Sequence, residues 1–228
     1  MTPIWSADEL LGVDTPAWPG LEALLANTGV DFQVLSADDA GKRDVLFRLQ
    51  VTAASTLGAI ASNCAALVVD HGWVRILGAG VKGIEDIATA NALDDPDRRA
   101  APPGHLVSAF DVLGGVFAIN HDDLPAQPGE VCYWGPDTLE WTPLGAGHTA
   151  FVEWLLHGGT KEFYRELRWP GWEDEVAALS IDEGISVYPF LFTEEGRNIA
   201  TATRKAVPFR ELLYLNEHLA NSLSAESD

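Results

Sequence analysis

Three glycines have the spacing that is most suggestive of chemistry in this chain. Gly78, Gly80 and Gly83 match the pattern G-x-G-x-x-G, follow a predicted strand and precede a predicted helix from Ile84 to Ala90. In dinucleotide-binding proteins, glycines at this spacing let the backbone approach a pyrophosphate at the start of a helix. One hypothesis is therefore an enzyme or a nucleotide-binding protein that uses the Gly78–Gly83 turn.

The surrounding sequence favours a structural role for the same glycines. A dinucleotide fold needs a second strand that ends in an acidic residue about 20 residues later. A proline-rich segment, Ala90–Gly104, occupies that position instead, and no repeated strand–helix–strand pattern follows. We therefore predict that Gly78, Gly80 and Gly83 serve a tight turn or close packing. We predict no phosphate-binding loop and no cofactor.

Other groups of reactive residues lack the spacing that catalysis or metal binding requires. Asp70–His71 and Asn120–Asp123 bring potential ligands together, but Asn and Asp are also typical of turns. The sequence contains no His-x-x-x-His or Cys-x-x-Cys pair for a transition metal. It also lacks the Gly-x-Ser-x-Gly pattern of a nucleophilic serine. We predict no catalytic residue and no metal site.

The charge balance argues against nucleic acid as a partner. Asp and Glu total 34 against 14 Lys and Arg, which gives a formal net charge of −20. Nucleic-acid binding needs a basic surface that neutralises phosphates. Two explanations of the acidity remain open. It keeps the protein soluble, or it attracts a cationic partner such as a basic toxin, because complementary fields accelerate association.

The lack of a membrane span or signal peptide in the sequence, together with its two cysteines, predicts a cytoplasmic location. No apolar run approaches the roughly 18 residues of a membrane span, and the first residues lack the basic and apolar parts of a signal peptide. Cys64 and Cys132 are the only cysteines. Since cytosolic thiols stay reduced, we predict two buried thiols rather than a disulfide. We expect no membrane association.

Apolar periodicity predicts a single α+β domain over residues 1–228. The strands after residue 105 are too close together for helical crossovers, so we expect a curved, mostly antiparallel sheet with packed helices. The predicted strands are Asp31–Leu35, the hairpin Ala66–Leu77, Leu106–Asn120, Glu130–Trp134 and Leu139–Thr142. The predicted helices are one capped by Ser6 and Glu9, then Trp18–Asn27, Ala53–Ala65, one through Phe151 and Leu155, Lys161–Arg168, Trp172–Leu179 and Phe209–Leu223.

Acidic residues next to tryptophans are the candidates for binding a protein partner. Buried aromatic side chains hold complexes together, and charge speeds their formation. The candidates are Asp70 with Trp73, Asp137 and Glu140 between Trp134 and Trp141, and the Trp169–Trp172 corner with Glu173 and Asp174. Turn positions favour exposure of Asp70 and Asp137, and we rank the Asp137 turn first. Core packing is the alternative for the tryptophans, and complementing a helix dipole is the alternative for Glu173 and Asp174.

The apolar segment Val187–Phe192 cannot bury all of its side chains if it is extended. Neighbouring side chains in a strand point to opposite sides, so Tyr188 and Phe190 differ in direction from Val187 and Leu191. We predict that the segment is covered, either within one chain or by a second copy. The protein is accordingly expected to be a monomer or a homodimer.

Several motifs resemble known families. The strand after Gly114–Gly115, the strand Glu130–Trp134 and the helix from Thr149 to Leu156 resemble the SUKH superfamily of immunity and scaffold domains, over about residues 51–160. A longer pattern looks like an uncharacterised bacterial domain of unknown function and covers Trp5 to about Leu219. That pattern comprises Gly72–Gly78, Pro136–Trp141, Leu167–Trp172 and Tyr188–Thr193.

The SUKH resemblance implies a function as well as a fold. It implies an α+β fold with a curved antiparallel sheet and a non-catalytic, protein-binding role, often the neutralisation of a toxin. The chain departs from SUKH domains in a helical extension over about residues 161–223. The favoured hypothesis is therefore an immunity-like protein-binding module, and the alternative is an enzyme or nucleotide-binding protein.

Overall fold

A seven-stranded sheet forms the centre of the fold. The computed structural model describes residues 3–94, 96 and 103–227. Every neighbouring pair of strands is antiparallel and consecutive in the chain, so the sheet is a simple meander. The strands are β1 Phe32–Leu35, β2 Ala66–Val69, β3 Val74–Leu77, β4 His105–Asp111, β5 Val116–Asn120, β6 Glu130–Trp134 and β7 Trp141–Gly147. The predicted α+β fold class with an antiparallel sheet is confirmed.

Helices are distributed along the chain, and several of them pack on this sheet. They are α1 Ala7–Leu11, α2 Trp18–Asn27, α3 Asp39–Leu49, α4 Thr56–Asn63, α5 Ile87–Ala90, α6 His148–Leu156, α7 Thr160–Phe163, α8 Trp172–Ala177 and α9 Phe209–Ser227, with a 3₁₀ turn at Arg165–Leu167. The predicted helix Trp18–Asn27 is confirmed at both ends. The predicted loop Ala90–Gly104 lies partly outside the described residues.

The C-terminal part of the chain, which follows α6, contains a second, two-stranded sheet. Strands β8 Glu183–Tyr188 and β9 Thr203–Pro208 pair antiparallel along their whole length. The predicted helical extension therefore also contains this hairpin, of which β9 was not predicted. Strand β9 alternates polar and half-buried residues around Arg204 and Lys205, and so lacks the apolar signal of the central strands. The two strands hold each other in place through register-specific backbone hydrogen bonds.

Side-chain caps explain where several helices begin. The Ser6 hydroxyl accepts from the backbone of Glu9, whose carboxylate in turn accepts from the backbone N–H of Ser6, so the predicted capping box is confirmed. Ser55 accepts from the backbone N–H of Gly58, which makes α4 start three residues after the predicted start at Ala53. Helix α3 was not predicted, because charged residues and Gly41 dilute its apolar face of Val45, Leu46 and Leu49.

Side chains on the two sides of β3 belong to two different apolar cores. Val74 and Ile76 belong to a large core that also contains Phe117, Phe151 and the aromatic residues of the C-terminal part. Leu77 belongs to a second core formed with the helices α1, α3 and α5. Since successive strand residues point to opposite sides, β3 serves both cores. The C-terminal part is thus integrated into the packing of the main sheet.

The two cysteines agree with the sequence-based expectation. Cys64 and Cys132 are both buried free thiols. Burial raises the pKa of Cys64 to about 12, so this thiol is not an activated nucleophile. Among the residues described, no helix combines the length and apolar character needed to cross a lipid bilayer.

His148 gives a pH-dependent test of this packing. It is the first residue of α6, and neither ring nitrogen has a hydrogen-bond partner within the described structure. Burial lowers its pKa from 6.5 to about 4. The unfolded chain therefore binds more protons between these two values, and stability falls as the pH decreases from 6.5 towards 4.

We predict that His148→Leu reduces this loss of stability by up to about 3 kcal/mol. The measurement is urea unfolding at neutral pH and at successively more acidic pH. His121→Gln is the control, because His121 is an exposed turn residue. An equal pH dependence in wild type and His148→Leu would contradict the prediction.

Candidate functional site

Four of the predicted binding residues lie together, but in the core. Trp73 is fully buried, and Asp70, Trp169 and Trp172 are each less than a tenth exposed. The ring of Trp73 meets that of Trp172 edge-on at a centroid distance of 5.0 Å and that of Trp169 at 5.8 Å. The sequence therefore identified residues that cluster, although they are far apart in the chain.

Arg168 lies at the centre of this cluster. Its guanidinium carbon is 3.9 Å from the ring centroid of Trp172 and 4.8 Å from that of Trp73, which are cation–π contacts. The same guanidinium forms an ion pair with Asp70, and both side chains are almost completely buried. The Thr160 hydroxyl donates a second hydrogen bond to the Asp70 carboxylate. Sequence analysis had noted Arg168 without giving it a role.

The expected exposure of Asp70 is wrong. Asp70, His71 and Gly72 all have positive φ and form a tight β2–β3 turn, as the sequence indicated. Arg168 and Thr160 then cover this turn. A partner could reach the four clustered residues only if the C-terminal part left the sheet, so their partner-binding role stays a prediction. Glu173 and Asp174 are exposed in the first turn of α8, where they complement the helix dipole.

The turn between β6 and β7 reaches the surface. Asp137 is half-buried and Glu140 is exposed. Leu139 adopts φ 58°, and the backbone N–H of Gly135 donates to the carbonyl of Glu140, which closes the turn. Burial raises the pKa of Asp137 above its ordinary value. This turn therefore presents two acidic residues on a rigid strand connection.

An aromatic row begins at Tyr188, the last residue of β8, and continues to Phe192. Tyr188 is 65% exposed, whereas the neighbouring Val187 and Leu191 are buried. The expected opposite directions of neighbours are thus confirmed for Val187 and Tyr188, where β8 ends. The expectation that the whole segment is covered is wrong for Tyr188. Tyr188 meets Phe190 edge-on at 5.8 Å, and Phe190 stacks on Phe192 at 5.5 Å.

The aromatic row lies beside the acidic turn. Pro136, which precedes Asp137, lines the same small cavity as Phe190 and Phe192. Glu194 and Glu195 follow the row and are exposed. The structure therefore brings Pro136 of the acidic turn next to Phe190 and Phe192, which come from a distant part of the sequence.

A buried carboxylate was missed by the sequence analysis. Asp111 ends β4 and is fully buried, and the hydroxyls of Tyr133 and Tyr164 donate to its Oδ2 at 2.7 and 3.0 Å. The backbone N–H groups of Leu113 and Gly115 donate to its Oδ1. Burial raises the pKa of Asp111 and, well above their ordinary values, those of both tyrosines. This network stabilises the core, because its four donors satisfy the Asp111 carboxylate, which solvent does not reach.

The glycine turn is built for close packing. A Cβ on Gly78 would lie 2.3 Å from the carbonyl oxygen of Cys64, and one on Gly80 would lie 2.5 Å from the nitrogen of Asp86. Gly80 and Gly83 also have positive φ. The predicted role of these glycines is therefore confirmed.

The expected helix after this turn is shorter than predicted. It begins at Ile87 instead of Ile84 and has only four residues, with Asp86 as its N-cap. Strand β3 pairs antiparallel with both neighbours, so the parallel strand–helix–strand context of a dinucleotide site does not surround the turn. Within the described part of the chain, no group of three metal-ligating side chains comes together.

Comparisons with known proteins identify the family. The model of DUF2625, a protein family of unknown function, matches residues 7–212. The chain belongs to the DUF2625 family. The longer resemblance to a domain of unknown function is thus confirmed, and the SUKH resemblance stays a prediction.

Two bacterial proteins are similar to this DUF2625 protein over most of its length. The uncharacterized protein YbfG of Escherichia coli (strain K12) is 32% identical over 90% of this chain and 92% of its own length. An uncharacterized protein of Haemophilus influenzae is 29% identical over 80% of this chain and 79% of its own length. No solved structure matches this chain.

We predict that Asp70→Asn destabilises the protein by about 3 kcal/mol, because it leaves the buried Arg168 charge without its partner. Asn tolerates the positive φ at this position, so the turn itself is preserved. Urea unfolding measures the loss. The matched control is Asp8→Asn, which removes the exposed ion pair with Arg43 and should cost less than about 1 kcal/mol. Equal losses of stability in the two variants would show that the buried Asp70–Arg168 pair stabilises the protein no more than the exposed Asp8–Arg43 pair does.

Proposed function

We propose that this DUF2625 protein is a cytoplasmic, non-catalytic module that binds a basic protein, in the manner of an immunity protein that neutralises a toxin. The proposed surface consists of the Asp137–Glu140 turn and the aromatic row Tyr188–Phe192. The observations that support the proposal are the exposure of Tyr188, its contact with Phe190, and the cavity that Pro136 of the acidic turn shares with Phe190 and Phe192.

The aromatic row suits the centre of an interface. Tyrosine supplies a large apolar area with few rotatable bonds, and truncation of such a residue often costs about 2 kcal/mol or more of binding energy. Tyr188 already packs edge-on against Phe190, so little of its freedom remains to be lost on binding. Val187 and Leu191 anchor the segment in the core and hold the row in place.

The charge of the chain specifies the chemistry of the partner. With 34 acidic against 14 basic residues, the protein attracts a basic surface at long range. Glu194 and Glu195 directly follow the aromatic row in the chain, and Asp137 and Glu140 belong to the turn whose Pro136 shares a cavity with Phe190 and Phe192. A basic toxin such as a nuclease has the required charge, and its capture requires no catalytic residue.

The proposal predicts separate kinetic effects of charge and aromatic contacts. Once a basic partner has been isolated with the tagged protein, Asp137→Lys with Glu140→Lys should lower the association rate constant about tenfold or more at low salt. The same double variant should reduce the salt dependence of binding. Tyr188→Ala should instead accelerate dissociation, with a loss of about 2 kcal/mol or more.

Asp14→Lys with Glu22→Lys is the matched control. Both residues are exposed and lie outside the proposed surface, and the double variant changes the net charge by the same amount. Binding that weakens equally in both double variants would mean that only the total charge matters. Binding that is unaffected by all three variants would place the interface elsewhere.

A further inference from the structure

A cavity of about 530 Å³ opens beside the glycine turn. Cavities of this size are typical of sites for small molecules. Its walls come from β3 and β4 of the main sheet, from the Gly80–Asp86 loop and from the start of α9. The cavity is lined by Arg75, Leu77, Phe110, Phe209 and Leu213, together with residues of that loop.

Arg75 is the feature of this cavity that points to a ligand. The side chain lies in the middle of β3 and is only 3% exposed. Its Nη1 donates to the carbonyl oxygen of Ile181 at 2.9 Å, but its Nε is buried without a hydrogen-bond partner. None of the carboxylates that the structure describes forms an ion pair with it. Burying a charge in this way is costly unless a counter-ion compensates it.

The guanidinium keeps its charge in this environment. Burial lowers the pKa of Arg75 to about 10, while Asp111, Asp182 and Glu183 act in the opposite direction from a greater distance. At neutral pH the side chain is therefore cationic. Its N–H groups have a fork geometry that matches the two oxygens of a carboxylate.

Aromatic rings flank the charge. The guanidinium carbon of Arg75 is 5.4 Å from the ring centroid of Phe209, and Phe209 meets Phe110 edge-on at 5.3 Å. Leu77 and Leu213 complete an apolar wall. The cavity thus offers one cationic group and a mostly apolar surface.

The other charged groups at the cavity are already engaged or exposed. Glu85 pairs with Arg210. Asp86 accepts hydrogen bonds from the backbone and hydroxyl of Thr89, and Asp182 is exposed. Arg75 is therefore the charged group that a ligand inside the cavity would neutralise.

We propose that this cavity binds a small organic acid, with its carboxylate on Arg75 and an apolar or aromatic body against Phe110 and Phe209. The site is separate from the proposed protein-binding surface and does not depend on it. Gly80 and Gly83 of the glycine turn line this cavity. The proposal therefore gives the turn a ligand other than a nucleotide.

A phosphate ligand fits this geometry less well than a carboxylate. Phosphate sites in glycine-rich loops use several free backbone N–H groups. Here the N–H groups of Gly78 and Gly80 donate to the carbonyl of Ala65, and that of Val81 donates to Ile84. Glu85, Asp86 and Asp182 around the cavity also repel a multiply charged group.

The test compares acids with amides of the same shape. Benzoate and phenylacetate, their neutral amides and inorganic phosphate are titrated into the wild-type protein by calorimetry and by backbone-amide NMR. We expect saturable binding of at least one acid, with the amide and phosphate at least about tenfold weaker. The amide signals of Gly80 and Gly83 should shift on binding, because both residues line the cavity.

Variants of Arg75 then test whether its guanidinium binds the carboxylate of the ligand. Arg75→Met should weaken binding at least about tenfold, and Arg75→Lys should weaken it less, since it keeps the charge and loses the fork. Arg43→Met is the matched control, because it removes one exposed positive charge from α3, outside the cavity. Near-ultraviolet circular dichroism establishes that each variant is folded.

Three results would overturn the proposal. The first is equal binding of acids and amides, and the second is NMR shifts that leave Gly80 and Gly83 unaffected. The third is the absence of saturable binding by either acid at millimolar concentration. The NMR result in the wild-type protein keeps the test decisive even if Arg75→Met does not fold.

Discussion

Two buried carboxylates of the main sheet determine how the C-terminal part of the chain is attached. Asp70, at the β2–β3 turn, binds Thr160 and Arg168, which lie 90 and 98 residues later in the chain. Asp111, at the end of β4, binds Tyr164, which lies 53 residues later. The segment Thr160–Arg168 is therefore held at both ends and in the middle. Since a buried carboxylate without donors is costly, each of these contacts must form when the chain folds.

The aromatic side chains of the large core follow from this attachment. Once Arg168 is paired with Asp70, its guanidinium lies over the rings of Trp73 and Trp172, and Tyr164 is brought to 5.3 Å from Trp73. The hairpin β8–β9 follows α8 in the chain, and the backbone N–H of its Ile185 donates to the carbonyl of Val112 just after β4. The position of the aromatic row thus depends on contacts made by two acidic residues in the sheet.

The sequence was sufficient for the elements whose signals are local. Apolar runs bounded by turn residues located the strands of the main sheet except β7, which was predicted as Leu139–Thr142 but runs from Trp141 to Gly147 because Leu139 belongs to the preceding turn. Pro19 with Asn27 located both ends of α2. Helix α3 and strand β9 were missed because burial of their few apolar residues is decided by partners elsewhere in the chain. Local propensity is a weak guide where tertiary contacts decide.

The same distinction between local signals and long-range contacts applies to the candidate sites. The sequence correctly placed Asp70 in a turn, but the exposure of that turn was decided by Arg168, which is distant in the chain. The combination of Asp137 with the aromatic row, and of the glycine turn with Arg75, likewise brings together separate segments. Residue types indicated what each group could do, and only the fold determined which groups meet.

The two sides of β3 show the difference between charge used for folding and charge left for another purpose. Towards the large core, the neighbouring strands supply Asp70 and Asp111, and every charge there meets donors or an opposite charge from the chain itself. On the other side lies Arg75, whose hydrogen-bond partner among the described residues is the carbonyl of Ile181. An acidic residue close to Arg75 would have satisfied the guanidinium and filled the space beside it. The chain instead keeps Asp182 and Glu183 at a greater distance and leaves a cavity lined by aromatic rings. Stability alone does not account for this arrangement, because an apolar residue at position 75 would avoid the cost of burying the charge.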